Sequence, residues 1–391
     1  MKQDPRDVWV QRDGAAGQGA NVAQHGNDEP LRVLMTVDAV GGLWRYAVAL
    51  GEQLKKNGVE ICFAGFGPAP RPEQVAEAER IGRLRWFDMP LDWMVTDGHE
   101  LADVPKAVAE AREAFDAHIV QVNLPTQAAS LEVDVPIVAV SHSCLPTWFE
   151  AMCAGEENDM LAWHRRLNRT GFDNADAVVV PSGSHAAALF RTYGEIVALK
   201  IVHNALCAAP APAPKQNFVF AAGRWWDEAK NARTLDEAAL SAWWPVVLAG
   251  SARGPDGSET GIEHAINRGA LPYDETMALM AQAAIFASPS LYEPFGLAAL
   301  EAAASGAALV LADIPTYREL WEGAAVFADP HEPQAFAHAI NHLAGNPPLR
   351  QQIASRAMDR SLHFAPQSQT AAMTALYREL LNTAGAGRTV R

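Results

Sequence analysis

At 391 residues the chain is longer than one hydrophobic core usually serves, so two domains are expected. Its composition, 49% hydrophobic and 20% charged, excludes a disordered or fibrous protein. A formal charge of -15 without a compensating basic stripe argues against nucleic acid, or an anionic membrane surface, as a partner.

Residues 1–30 are polar, with no hydrophobic period and no apolar signal segment, so a mobile tail is expected there. No apolar run reaches the roughly 20 residues of a membrane helix, which predicts no integral membrane segment and a cytoplasmic protein. Cys62, Cys144, Cys153 and Cys207 lack Cys-x-x-Cys spacing or partner histidine pairs, so reduced thiols are expected, not a zinc site or a disulfide framework.

Folded structure is expected from Leu31. Leu31–Val37 reads as a strand, Gly41 and Gly42 as a loop, and Leu43, Ala47, Leu50 and Leu54 recur at helical spacing until Lys55, Lys56 and Gly58 end the helix. Further β-branched runs at 58–64, 118–122, 135–140, 177–180 and 200–202 alternate with helical stretches. That alternation predicts a doubly wound parallel sheet over residues 31–205.

The prolines of Cys207–Gln216 read as a stiff linker, 206–216. Beyond it, strand candidates at 218–221, 246–249, 285–287, 308–312 and 325–328 predict a second parallel sheet over 217–365. Met373, Leu376, Tyr377, Leu380 and Leu381 share one face of a final helix, 366–385, expected to pack back toward the first domain.

The most informative stretch is Ser288-Pro-Ser-Leu-Tyr-Glu293-Pro-Phe-Gly-Leu-Ala-Ala-Leu-Glu301-Ala, which follows a strand and opens a helix. Pro294 suits a first helical turn, Gly296 admits close backbone approach, and the helix N-terminus suits a diphosphate. On this reading Glu301 lies about two turns into the helix, so both glutamates can face one ligand. A second stretch, Phe218-Val-Phe-Ala-Ala-Gly223-Arg224-Trp-Trp-Asp-Glu-Ala-Lys230-Asn231, brings two cations to a strand end, where they can stabilise a leaving group whose negative charge grows.

These two stretches resemble the retaining glycosyltransferases of family 4, which have the GT-B fold of two Rossmann-like α/β domains facing across a cleft. The resemblance is strong over roughly 217–345 and weaker but continuous from Leu31 to Asn204. It implies that Glu293 bonds donor-sugar hydroxyls, that backbone amides of Phe295, Gly296 and Leu297 meet sugar and phosphate, and that Glu301 holds the ribose. Arg224 and Lys230 would lie on the diphosphate. Gly41 and Gly42 would close over the phosphates, and His142, directly after a strand, would bond a donor-sugar hydroxyl as a neutral imidazole.

The implied activity is retaining transfer of a hexose from a nucleotide-diphosphate sugar, the co-substrate, to a hydroxyl acceptor, in settings such as cell-surface polysaccharide or glycoconjugate synthesis. No cofactor is expected. With no Asp-x-Asp and two cations at the diphosphate, no metal is expected either. A dinucleotide-binding reading of the Gly41 loop fails, because Gly-x-Gly-x-x-Gly is absent and Glu60 stands at the start of its strand. A sugar phosphorylase, a nucleotide-sugar epimerase and a non-catalytic nucleotide-sugar sensor are the alternatives. Glu319 also fits the family pattern without an assigned contact, and the pairs Trp225-Trp226 and Trp243-Trp244 are expected to be core or interdomain packing.

Overall fold

Strands covered on both faces must be apolar throughout, and the runs picked out above have that character. The structure, a computed structural model, describes residues 29–153, 161–206, 213–254 and 257–388; the tail up to residue 28 and linker residues 207–212, Cys207 among them, lie outside the described residues. The first sheet comprises β1 (Arg32–Asp38), β2 (Glu60–Phe66), β3 (Arg83–Trp86), β4 (Ile119–Val122), β5 (Ile137–Val140), β6 (Ala177–Val180) and β7 (Leu199–Ile201), all parallel, in the order β3-β2-β1-β4-β5-β6-β7. The second comprises β8 (Gln216–Ala222), β9 (Val246–Ala249), β10 (Ile266–Asn267), β11 (Ala283–Ser288), β12 (Ala308–Ala312) and β13 (Val326–Ala328), again parallel, in the order β10-β9-β8-β11-β12-β13.

In each sheet the strand order reverses beside the first strand, between β1 and β4 and between β8 and β11. A crevice opens at such a switch point outside the carboxyl ends of the strands. The loops after β1, β8 and β11 carry Gly41, Arg224 and Glu293 in turn, so topology alone brings these residues to facing crevices.

Two strands absent from the sequence reading are β3 and β10. Both are sheet edges: β3 carries Arg83 and Arg85 and is only partly buried, and β10 has two exposed residues, so neither reads as an apolar run. Predicted strand 58–64 begins two residues later, at Glu60, because Gly58 has φ 79° and belongs to the turn after the helix Gly42–Lys56.

The final helix, Pro366–Arg388, returns to the first domain. Met373, Leu376 and Tyr377 bury against the face of the first sheet that holds Val33, Met35 and Ile119, contributing about 1.5–3 kcal/mol each. The Tyr377 hydroxyl donates to Gln121 of β4.

Polar contacts also cross between the domains. Glu319 accepts from the backbone N–H groups of Gly183 and Ser184 at 2.8 and 2.7 Å and from the Ser184 hydroxyl at 2.5 Å. Ser182 donates to the Pro294 carbonyl at 2.7 Å, Thr147 and Tyr292 share a hydroxyl bond of 2.8 Å, and the Trp148 indole donates to Asp227 at 3.1 Å. The contacts at Pro294 and Asp227 touch the loops that carry Glu293 and Arg224, so domain apposition and site geometry are linked. Among the described residues no helix is long and apolar enough to cross a membrane.

Candidate active site

The stretch after β11 turns sharply at Gly296, whose φ of 88° is left-handed and caps the helix Leu297–Ala304. A Cβ there would lie 2.8 Å from the Tyr317 ring and 3.4 Å from Glu293 Cγ, so only glycine fits. This corrects two local expectations. Pro294 precedes the helix instead of opening it, and Glu301 lies about one turn in, because the glycine delays the helix start. No side chain caps this helix, which leaves its first N–H groups, beside Phe295, Gly296 and Leu297, open to an anion.

Arg224 and Lys230 flank this turn from the loop after β8. Lys230 Nζ donates to Glu293 Oε2 at 2.7 Å, with both side chains largely buried. Arg224 Nη2 meets Asp227 Oδ2 at 3.2 Å, and its guanidinium lies 5.5 Å from the Trp226 ring centre. Asp227 Oδ1 caps the short turn that carries Lys230 by accepting from the Ala229 N–H. Asn231, at φ 55°, then pins the loop with its amide, which donates to the carbonyls of Pro289 (3.0 Å) and Pro330 (2.7 Å). Asp227 and Asn231 are positioning residues that sequence reasoning did not single out; an acid three residues after Arg224 and an asparagine at a helix start are weak signals alone.

The first domain supplies the facing wall. A Cβ on Gly41 would stand 3.6 Å from Arg224 Nη1, and one on Gly42 3.7 Å from Leu297 Cδ1, so both glycines abut the second domain. Asp38, missed by the sequence reading, ends β1 beneath them and accepts from the Val40 N–H at 2.7 Å. Burial pushes its carboxyl up to about 6, while that N–H and the charge of Arg224 pull the other way.

His142 follows β5 and sits edge-on to Tyr46, ring centres 4.3 Å apart. Its Nε2 is 3.2 Å from Asn123 Oδ1, an amide oxygen fixed because the Asn123 NH₂ donates to the Thr36 carbonyl at 2.6 Å. An oxygen at that point assigns the ring proton to Nε2 and leaves Nδ1 as an acceptor. Burial, with the nearby His185 imidazole, lowers His142 to about 3, so the ring is neutral at physiological pH.

Glu301 is 9% exposed, and its Oε1 accepts from the Tyr273 hydroxyl at 2.8 Å. Burial pushes its carboxyl up to about 7 against the lowering effects of that bond and of the Arg45 charge. The structure therefore brings Gly41 and Gly42 of one domain against Arg224 and Leu297 of the other, on the segments that also carry Lys230, Glu293, Gly296 and Glu301, whereas the contacts of His142 are with Tyr46 and Asn123 of its own domain. Among the described residues no group of three or more His, Cys, Asp and Glu side chains is disposed to hold a metal ion.

Glu319, left without an assigned contact by the sequence, sits at a helix start: it caps the helix Gly183–Tyr193 of the opposite domain. Trp225 is buried and Trp244 packs against the second core, as expected of packing residues, but Trp243 is 70% exposed and departs from that expectation.

Two Rossmann-like domains apposed at their switch points, with paired carboxylates, paired cations and an open helix N-terminus in the cleft, define a glycosyltransferase of the GT-B fold. The chain is of the family-4 type: the model "Glycosyltransferase Family 4" matches residues 40–206 of the first domain, and "Glycosyl transferases group 1" matches residues 258–360 of the second. Among curated proteins, α-maltose-1-phosphate synthase of Mycolicibacterium smegmatis is 26% identical over 61% of this chain and 71% of its own length. Among solved structures, sucrose-phosphate synthase of Thermosynechococcus elongatus aligns with a TM-score of 0.74 at 17% identity, covering 91% of this chain and 100% of that one. Anabaena HepE in complex with UDP and glucose aligns with a TM-score of 0.68 at 18% identity over 90% and 100%. At these identities the structural matches speak for the fold.

Proposed function

We propose that this glycosyltransferase takes a nucleotide-diphosphate sugar as donor and moves its hexose to a hydroxyl acceptor with retention of configuration and without a metal ion. The observation that carries the reading is the convergence of Lys230 and Glu293 at 2.7 Å beside the uncapped helix N-terminus, with Arg224 facing Gly41 across the cleft. Arg224, Lys230 and the N–H groups after Glu293 would hold the diphosphate and stabilise the charge it gains as the bond to the sugar's anomeric carbon breaks. The acceptor oxygen would attack from the face the diphosphate leaves, and its proton would pass to a departing phosphate oxygen. Glu293 and the neutral His142 would fix the hexose through its hydroxyls, and Glu301 the ribose. The site would work in the cytoplasm, where nucleotide sugars are made.

The test is a thermal-shift series with UDP-, GDP- and ADP-sugars in EDTA, uridine donors first because HepE was crystallised with UDP. Wild type is compared with Glu301→Ala and Arg224→Ala. Stabilisation by one nucleotide class, lost in both variants, supports the reading. With the donor known, NMR of the product's anomeric proton decides retention, and a donor bound but never consumed points to a sensor. Stabilisation by free phosphate alone would transfer the case to a phosphorylase.

A further inference from the structure

The start of the helix Gly42–Lys56 meets the second domain at three points. Gly41 abuts Arg224, Gly42 abuts Leu297, and one turn further on the Arg45 guanidinium sits over the ring of Tyr273, 4.0 Å from its centre. Tyr273 opens a helix of the second domain, Tyr273–Gln282, and its hydroxyl donates to Glu301. Arg45 thus touches, from the opposite domain, the residue that orients the candidate ribose carboxylate.

Arg45 is held in this pose from behind. Its Nη1 pairs with Glu77 Oε1 at 3.0 Å, and the other oxygen of Glu77 accepts from the Trp44 indole at 2.8 Å. A carboxylate anchored at both oxygens gives the guanidinium little freedom, so its seat on Tyr273 requires the two domains to be apposed as they are here. The contact is partly desolvated, the setting in which a cation over an aromatic ring is most favourable. The positive charge also stands near the buried Glu301, easing the ionisation that a ribose-binding carboxylate needs.

We propose that Arg45 and Tyr273 form a latch across the cleft that couples domain closure to occupancy of the nucleotide site: Tyr273 positions Glu301 for the ribose, and Arg45 engages Tyr273 only when the domains are closed. The inference rests on the reading of Glu301 as a nucleotide-binding residue. Both are positioning residues, since they act through Glu301. Binding of the nucleotide alone reports the coupling, so no acceptor is required.

The experiment is calorimetric titration of full-length protein with UDP, ADP and GDP, using the wild type, Arg45→Ala, Arg45→Lys, Tyr273→Phe, the double variant Arg45→Ala/Tyr273→Leu, Tyr273→Leu and Glu301→Ala. Melting curves without nucleotide confirm that each is folded. Arg45→Ala is expected to weaken binding of the preferred nucleotide about five- to tenfold, Arg45→Lys to restore part of the loss, and Tyr273→Phe to weaken binding while keeping the ring contact. In the Tyr273→Leu background, removing Arg45 should cost less than twofold, the non-additivity of a direct pair. Where turnover can be measured, Arg45→Ala should raise the donor KM and leave kcat within about twofold.

If Glu301→Ala abolishes binding while Arg45→Ala leaves it unchanged, the latch is wrong and the site reading stands. Should Glu301→Ala bind as well as wild type, the site reading itself fails and the latch with it. Equal losses on removing Arg45 in the wild-type and Tyr273→Leu backgrounds would also overturn the latch, since the two residues would then act separately.

Discussion

Lys230 Nζ lies 2.7 Å from Glu293 Oε2, so the candidate diphosphate cation and the candidate sugar carboxylate are bonded directly to each other. A largely buried pair of opposite charges preorganises both groups, because each holds the other in one rotamer. When a donor enters, the sugar hydroxyls and the phosphate can add to this pair without first ordering it.

Lys230→Ala should therefore harm the protein twice. It leaves Glu293 without its partner, which is expected to lower stability by about 1–3 kcal/mol, and it lowers kcat/KM by about 100-fold or more. Thermal melting and steady-state kinetics separate the two losses. Glu293→Gln, which keeps the shape and removes the charge, should lose activity with a smaller loss of stability.

The Glu301 carboxyl, raised by burial to about 7 from the usual 4.5, makes the free protein and the nucleotide complex respond oppositely to pH. Between about 4.5 and 7 the folded protein holds a proton that the unfolded chain has released, so this group's effect is to make stability fall as pH rises through that window. On the proposed ribose role, nucleotide binding would need the ionised acceptor, so affinity should tighten from pH 6 to pH 8. Titration of UDP or the preferred nucleotide across that range checks this, and Glu301→Gln should flatten the profile.

Gly296→Ala is expected to be among the most damaging single-methyl changes in the second domain. The residue would have to adopt φ 88° and place its Cβ 2.8 Å from the Tyr317 ring, which together cost about 2–4 kcal/mol. Urea unfolding measures the loss. Nucleotide binding should weaken as well, because the turn sets the open N–H groups.

Glu319 tests the role of apposition. Glu319→Ala removes three hydrogen bonds at 2.5–2.8 Å to the opposite domain, all at an exposed position. Each domain keeps its own core, so the melting temperature should change little. Small-angle scattering should show a more open average shape, and nucleotide should reverse part of it. An unchanged scattering profile would show that Ser182, Thr147 and Trp148 suffice to hold the domains.

Much of this architecture was legible in the chain itself. The runs at Ala177–Val180, Val246–Ala249 and Ala308–Ala312 coincide with β6, β9 and β12, because a strand covered on both faces leaves no room for polar residues. An edge strand can escape that logic, as β3 does with its two arginines and β10 with only two exposed residues, and neither reads as an apolar run. At the site, Glu293, Glu301, Arg224 and Lys230 stand out because they belong to two dense motifs that follow strand ends, whereas Tyr273 and Arg45 lie in ordinary amphipathic surroundings.

Local and periodic features are written in the chain: which segments are buried strands, where glycine must relieve the backbone, and which charged residues follow which strand. The pairings across the cleft, Arg45 on Tyr273 and Glu319 on Gly183 and Ser184, arise from the assembled fold alone. These join residues 135 to 228 positions apart on different domains. No local period encodes such a contact, since it exists only when two separately folded sheets meet at their switch points.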